Sequence, residues 1–210
     1  MIKLSNKVDL CSINVYEYLI EDVNLLNSFI EYAKNTEYTD QNSNYRSVNT
    51  YILHDKKLNN LKDVLIDCVD DAIKLVYNQV NFKAHLTQSW INLNRFNDFH
   101  FWHSHANSFL SGILYLYEDE DMGKTHFRVK NPWYDSNLCD SFEPYKEQHE
   151  LLNYIVNDII PEIGKLIIFP SSLEHSVMKN KTQKDRLTVS FNTFISGELG
   201  DKDLLNHLKV

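Results

Sequence analysis

The sequence predicts a mainly β domain, a curled antiparallel sheet or sandwich with helices packed on its outer face. Three observations carry this. Apolar residues recur every three or four positions in the first 82 residues and every second position from Lys83 onward. The later part then holds five short alternating or apolar segments. Glycine numbers only 5 and proline 4 in 210 residues, and neither a Gly-rich nucleotide turn nor a P-loop is present.

Each element follows from its local pattern. Asn14 to Ala33 reads as a helix, with Leu19, Val23, Leu26 and Ile30 as its apolar stripe and Glu21 and Asp22 toward solvent. Asn35 to Arg46 is polar and reads as loop. A second helix is expected from about Leu58 to Tyr77, burying Leu61, Leu65, Cys68 or Val69, Ala72 and Val76. Strands are expected at Thr87–Asn94, Ser108–Tyr117, Lys124–Val129, Gly164–Phe169 and Arg186–Phe194, with Gly112 permitting close packing in the second. In the first, Ile91 and Leu93 oppose Trp90, Asn92 and Asn94; in the last, Leu187, Val189 and Phe191 oppose Arg186, Thr188, Ser190 and Asn192. Glu147–Ile159 reads as a helix between Pro144 and Pro161, with Leu151, Leu152, Ile155 and Ile159 on one face. The resulting division of one domain is a helical buttress with lead-in strands over residues 1–82, a β core over 83–196 with a helical insert near 147–159, and a C-terminal tail over 197–210.

Charge and cysteine content narrow the setting. Lys plus Arg number 21 against 29 Asp plus Glu, a formal net charge of −8, which disfavours nucleic acid and anionic lipid even though Lys179, Lys181, Lys184 and Arg186 gather in one segment. Cys11, Cys68 and Cys139 are odd in number and widely spaced, which suits a reducing cytoplasm. No apolar run approaches the roughly 20 residues of a membrane span, and no signal peptide is expected. A symmetric homodimer is the default for a soluble enzyme.

The richest chemistry lies in DFHFWHSH, Asp98–His105. His103 and His105 are two apart, so on an extended chain both imidazoles leave one face and aim at one point. A catalytic metal wants a third ligand, and His175, in FPSSLEH just past an apolar strand, is the best candidate. Only a sheet that curls back on itself, as in a barrel or jelly roll, brings the two regions together. Asp98 and His100 form a competing pair of opposite parity to His103, or a carboxylate acceptor for an imidazole N–H. Arg186 begins the last alternating strand, with Thr188 next on the same face. An inward guanidinium is costly without an anion, and its planar fork suits a carboxylate, with Thr188 as a further donor. A small dicarboxylate keto acid chelating the metal by its keto end fits that pattern; a salt bridge to Asp185 or Glu174 is the alternative.

SWINLNRFNDFHFWHSHANSFLSGILYLY, GKLIIFPSSLEHSVMKN and DRLTVSFN together resemble the Fe(II)- and 2-oxoglutarate-dependent oxygenases. The nearer likeness is to the compact oxygenases of phages, cyanobacteria and marine bacteria, distantly similar to prolyl 4-hydroxylases. SNYRS (Ser43–Ser47) adds a weaker match, so the likeness spans most of Asn44–Phe194. It implies a cupin-like double-stranded β-helix, or jelly roll. It implies Fe(II) on His103 and His175, with His105 where the superfamily usually places an acid. It implies 2-oxoglutarate anchored by Arg186 and Thr188, with Tyr115, Phe101 and Trp102 as pocket walls and Asn94 and Asn192 as further cosubstrate contacts. With O2, the implied reaction is hydroxylation of a substrate C–H bond with release of succinate and CO2, in a bacterial cytoplasm or that of a host if phage-encoded. The substrate stays open between a small molecule and a protein side chain. Two other readings stand beside it. One is a cupin-like metalloprotein, since Gly164–Pro170, His175 and Asn180 resemble the second cupin motif, although Ser108–Leu110 occupy the place of its glutamate. The other is a non-enzymatic jelly-roll module merely stabilised by a metal.

Overall fold

The computed structural model describes residues 13–77, 82–130 and 154–210, and its first element already departs from the periodicity of the sequence. Tyr16–Leu19 is a strand, β1, and the helix α1 runs only from Val23 to Lys34. Asp22 makes the break. Its backbone is extended (φ −73°, ψ 92°) and its side chain accepts a 3.0 Å hydrogen bond from the Leu25 N–H, an N-cap that starts the helix afresh. Leu19 and Val23 therefore leave the expected stripe and are exposed, while Leu26, Phe29 and Ala33 are buried. The second helix, α2 (Asn59–Tyr77), buries Leu61, Leu65, Val69 and Ala72 as its spacing predicts, with Cys68 half-buried, but it buries Ile73 in place of the expected Val76, which is exposed.

The remaining strands are β2 (Tyr38–Asp40), β3 (Tyr45–Ser47), β4 (Phe82–Asn94), β5 (His100–His103), β6 (Leu110–Tyr115), β7 (Thr125–Lys130), β8 (Tyr154–Ile159), β9 (Lys165–Pro170), β10 (Glu174–Val177), β11 (Arg186–Leu199) and β12 (Leu208–Lys209). Their pairings are antiparallel and form two sheets. The larger has the order β1-β9-β6-β11-β4-β3-β2, with β12 also on β11; the smaller has the order β5-β10-β7-β8.

Three expectations need correction. The polar stretch Asn35–Arg46 holds the β2–β3 hairpin rather than a loop: Asn42 turns the chain at φ 67°, and its N–H donates to Asp40 Oδ1 at 2.7 Å. The polar turn masks two strands that each carry a tyrosine. The helix expected over 147–159 is, where described, strand β8. Ile155, Val156 and Ile159 are β-branched, and the segment is an edge strand paired residue for residue with β7. Of the face read as helical, Ile155 points to solvent there while Ile159 packs against the core that holds Phe127. Residues 147–153 lie outside the described set. The C-terminal segment is not a free tail, since β11 continues to Leu199 and β12 folds back on it, pairing Glu198 with Lys209.

The main sheet is covered on both faces. Ile91, Leu114, Ile168, Val189 and Phe191 pack toward α1 and α2 with Phe29, Leu61 and Leu65. Ile113, Tyr115, Ile167 and Phe169 pack toward the small sheet with Phe127 and Leu173. Each large apolar side chain so buried contributes roughly 1.5–3 kcal/mol, and the alternation along β6 and β9 assigns each residue to one core or the other. β6 and β11 lie close enough that a Cβ on Gly112 would sit 2.2 Å from the Phe191 ring. Gly112→Ala should therefore destabilise the fold by about 1–3 kcal/mol, the usual range for overpacking, read as a lower urea midpoint at unchanged slope.

A candidate metal centre between the sheets

Strand pairing brings the distant histidines together. β5 and β10 are neighbours in the small sheet, and their register sets His103 directly opposite His175. His105 follows two residues later, and its backbone N–H donates to the Ser171 carbonyl at 2.9 Å, which keeps the chain alongside. One nitrogen from each of His103, His105 and His175 lies within 4.8 Å of the other two. His105 Nε2 and His175 Nε2 are 3.3 Å apart. Two nitrogens each about 2.1 Å from one ion and roughly 90–105° apart would be separated by about 3.0–3.3 Å, so the pair has the spacing of adjacent ligands.

The tautomers suit that role. His103 Nδ1 lies 2.8 Å from the Phe101 carbonyl and His175 Nδ1 lies 3.0 Å from the Leu173 carbonyl. A carbonyl only accepts, so each Nδ1 carries the proton and each Nε2 keeps its lone pair. Burial, followed by the neighbouring imidazoles, pushes the pKa of His175 down to about 3 and that of His105 to about 4; burial lowers His103 too. All three rings are thus neutral near pH 7, the protonation state that binds metal.

The large sheet supplies the facing wall. Across β4 and β11, Asn94 opposes Arg186, Asn92 opposes Thr188 and Trp90 opposes Ser190; across β11 and β6, Thr188 opposes Tyr115. Directly opposed residues share a face, so Arg186, Thr188 and Tyr115 look into the same space as the histidines. Arg186 is 1% exposed. Its Nη1 donates to the carbonyls of Met122, Met178 (3.0 Å) and Gly123 (3.5 Å). Gly123 has φ +94°, and a Cβ there would meet the Met178 carbonyl at 2.3 Å and Arg186 Nη1 at 2.5 Å, so glycine allows this cradle to close. Burial lowers the guanidinium's pKa, an effect opposed by Tyr117, Tyr115 and Asp98. The alternative partner Glu174 is engaged by Arg128 at 2.9 Å, and no carboxylate among the described residues pairs with Arg186.

Several polar atoms in this pocket are buried without a partner: Arg186 Nε, Asn94 Nδ2, His100 Nδ1 and Asn44 Oδ1. Leaving such groups unsatisfied costs about 1–3 kcal/mol each. Two of the four are certain donors, and their orphaned state suits an acceptor-rich ligand such as a carboxylate. The residues present therefore fit a divalent metal together with a small keto diacid.

Other expected residues have different surroundings. Tyr115 is fully buried and donates to Thr125 Oγ1 at 2.7 Å; burial and the neighbouring Tyr117 raise its pKa. Asn192 accepts from Ser111 Oγ at 2.8 Å and lines a second, outer cavity rather than the pocket of Arg186. Phe101 also lines the outer cavity and is largely exposed, whereas Trp102 packs under Arg128 at 4.3 Å and lines neither cavity. His100 is the pocket residue that parity misassigns. The pair His175–His103 is followed by Val177–His100, so three steps on β5 match two on β10. That bulge turns His100 to the face of His103, with ring centroids 4.4 Å apart. Trp90, Asn92 and Asn44 also line the pocket; strand parity marks the first two in the sequence, whereas Asn44 lies in the stretch that reads as loop.

The sequence profile of the family described as "Putative 2OG-Fe(II) oxygenase" matches residues 88–192, half of the chain, and that span contains His103, His105, His175 and Arg186. The chain belongs to the 2OG-Fe(II) oxygenase family. No curated protein matches it. Solved structures share the fold of this chain at low identity. HygX of Streptomyces hygroscopicus, with nickel, 2-oxoglutarate and hygromycin B bound, superposes with a TM-score of 0.61 at 13% identity, covering 86% of this chain and 82% of that one. The non-heme α-ketoglutarate-dependent epimerase SnoN from nogalamycin biosynthesis gives 0.64 at 11%, covering 88% and 79%. A prolyl-4-hydroxylase of Pseudomonas putida gives 0.54 at 14%, covering 86% and 93%. The mainly-β architecture with flanking helices thus resembles the jelly roll of 2OG-Fe(II) oxygenases.

Proposed function

We propose that the protein is an Fe(II)- and 2-oxoglutarate-dependent dioxygenase that hydroxylates a substrate C–H bond. The observation that carries the reading is one narrow pocket with three convergent neutral imidazoles and a buried guanidinium that no carboxylate among the described residues pairs with directly. When bound together, Fe(II), 2-oxoglutarate and O2 supply oxidative decarboxylation to succinate and CO2 coupled to hydroxylation. His103, His105 and His175 are proposed as the metal ligands, on one face so that the opposite positions stay open. Arg186 and Thr188 would hold the distal carboxylate, with Asn94 and His100 as further contacts and Tyr115 as a packed wall. HygX, solved with nickel and 2-oxoglutarate, supports the pairing of metal and cosubstrate within this fold. His105 in place of an acid leaves the centre one charge more positive than a two-histidine, one-carboxylate site, which should weaken Fe(II) retention and strengthen the hold on the cosubstrate's carboxylate.

The proposal keeps the narrower likeness to the compact phage and cyanobacterial oxygenases. It also places the protein in a cytoplasm, where Fe(II) and the free thiol of Cys68 stay reduced, as a homodimer. No described helix is long and apolar enough to cross a membrane. Calorimetry under argon tests the assignment: 2-oxoglutarate should bind only after Fe(II) or Mn(II), and admitting air to the Fe(II) form should yield succinate. Metal binding that raises the melting temperature without metal-dependent 2-oxoglutarate binding or succinate would instead leave a metal-stabilised module.

A further inference from the structure

A second space opens on the other side of the imidazoles. It measures 370 Å³ against 40 Å³ for the pocket of Arg186 and is within the roughly 300–1,000 Å³ range of small-molecule sites. The two share Asn44, Trp90, Asn92, His100, His103 and His105, so whatever occupies the outer space sits beside the proposed metal. Gln41, Gln88 and Asn192 add carboxamides, and the indole of Trp90 lies 5.8 Å from the His105 ring. Among the described residues no carboxylate lines the cavity, and Arg46 is the permanently cationic residue that does. Arg46 opposes Asn92 in the β3–β4 register, which turns it to the face that carries Thr188. Its Nε is buried without a partner, and among the described residues no side-chain hydrogen bond or ion pair engages it.

We infer that the outer cavity receives the substrate to be oxidised, and that this substrate is a small carboxylic acid bearing amide groups, its carboxylate on Arg46. This rests on the oxygenase reading above for which face the reaction uses. An unpaired guanidinium in a chain of net charge −8 is a local exception that attracts an anion, and its fork pairs with a carboxylate through two parallel hydrogen bonds. Carboxamides both donate and accept, which matches an amide on the same molecule. A cationic ligand would meet Arg46 with no counter-charge in the lining, so amines are selected against.

The test uses the full chain loaded with Mn(II) and saturating 2-oxoglutarate, so that Arg186 is already engaged. N-acetyl amino acids of increasing size and their C-terminal amides are titrated by calorimetry. At least one acid should bind 10-fold or more tightly than its own amide. Arg46→Gln should erase that preference while leaving 2-oxoglutarate affinity and melting temperature unchanged, and Arg46→Lys should retain part of it. Acids and amides that bind alike, a panel in which neither binds, or a preference that survives Arg46→Gln would overturn the assignment. Loss of 2-oxoglutarate binding alongside an intact Arg46-dependent preference would instead remove the oxygenase reading and leave the acid site standing.

Discussion

His175→Ala should abolish stable metal binding and, with it, every metal-dependent signal of the protein. Losing one of three ligands leaves two imidazoles and exceeds the roughly 10–100-fold loss caused by removing an outer-shell partner, so affinity for Mn(II) should fall by more than about 100-fold. Succinate formation should fall to background. The variant should still fold, because the ring it removes leaves space in a pocket already open to the histidines, and β10 keeps its backbone pairing with both β5 and β7. His105→Asp makes the contrast. It keeps three ligands, adds one negative charge, and should hold Fe(II) at least as tightly as the wild type. Equal metal affinity for wild type and His175→Ala, measured by calorimetry, would remove His175 from the site.

Arg186→Gln should separate cosubstrate binding from metal binding. The buried guanidinium has no carboxylate of its own among the described residues, so the anion it awaits is a ligand's, and a charge-assisted contact in a desolvated pocket is worth about 2–4 kcal/mol on truncation. Affinity for 2-oxoglutarate should fall roughly 30- to 700-fold. Mn(II) affinity without 2-oxoglutarate should stay within about 3-fold, because Arg186 touches backbone carbonyls rather than the imidazoles. At a 2-oxoglutarate concentration 100 times the wild-type Kd, the wild type should gain about 2.7 kcal/mol of stability and the variant only about 0.1–0.9 kcal/mol. Arg186→Lys keeps the charge without the fork and should recover part of the affinity. A variant that binds 2-oxoglutarate as the wild type does would show that the distal carboxylate lies elsewhere.

Much of the site is written in parity. Arg186, Thr188 and Ser190 had to share a face once β11 was recognised as extended, and Leu187, Val189 and Phe191 had to share the other, facing the helices. His175 was legible because an apolar run, a proline and a histidine mark the end of β9 and the start of β10. Other features lie outside local pattern. The bulge that turns His100 inward exists only as a mismatch between β5 and β10, two segments about seventy residues apart. The split of the first expected helix turned on a single cap at Asp22, within a run whose spacing otherwise looked helical. β8 was misread because Ile155 and Ile159 are also four apart, and only pairing with β7 decides between the two periods. Arg46 was hidden in a polar stretch that reads as loop, and what singles it out is its neighbour across the β3–β4 pair.

The division of β11 between oil and chemistry also limits how this protein can change. Deleting one residue just before Arg186 would rotate the segment by half a pleat, delivering Leu187 to the polar pocket and a guanidinium to the underside of the helices. Such a lesion would damage the pocket and folding together, with no intermediate variant that loses only one. Length variation in this lineage should therefore be confined to the connections between strands, and along β11 new specificities can come only by exchanging one side chain for another.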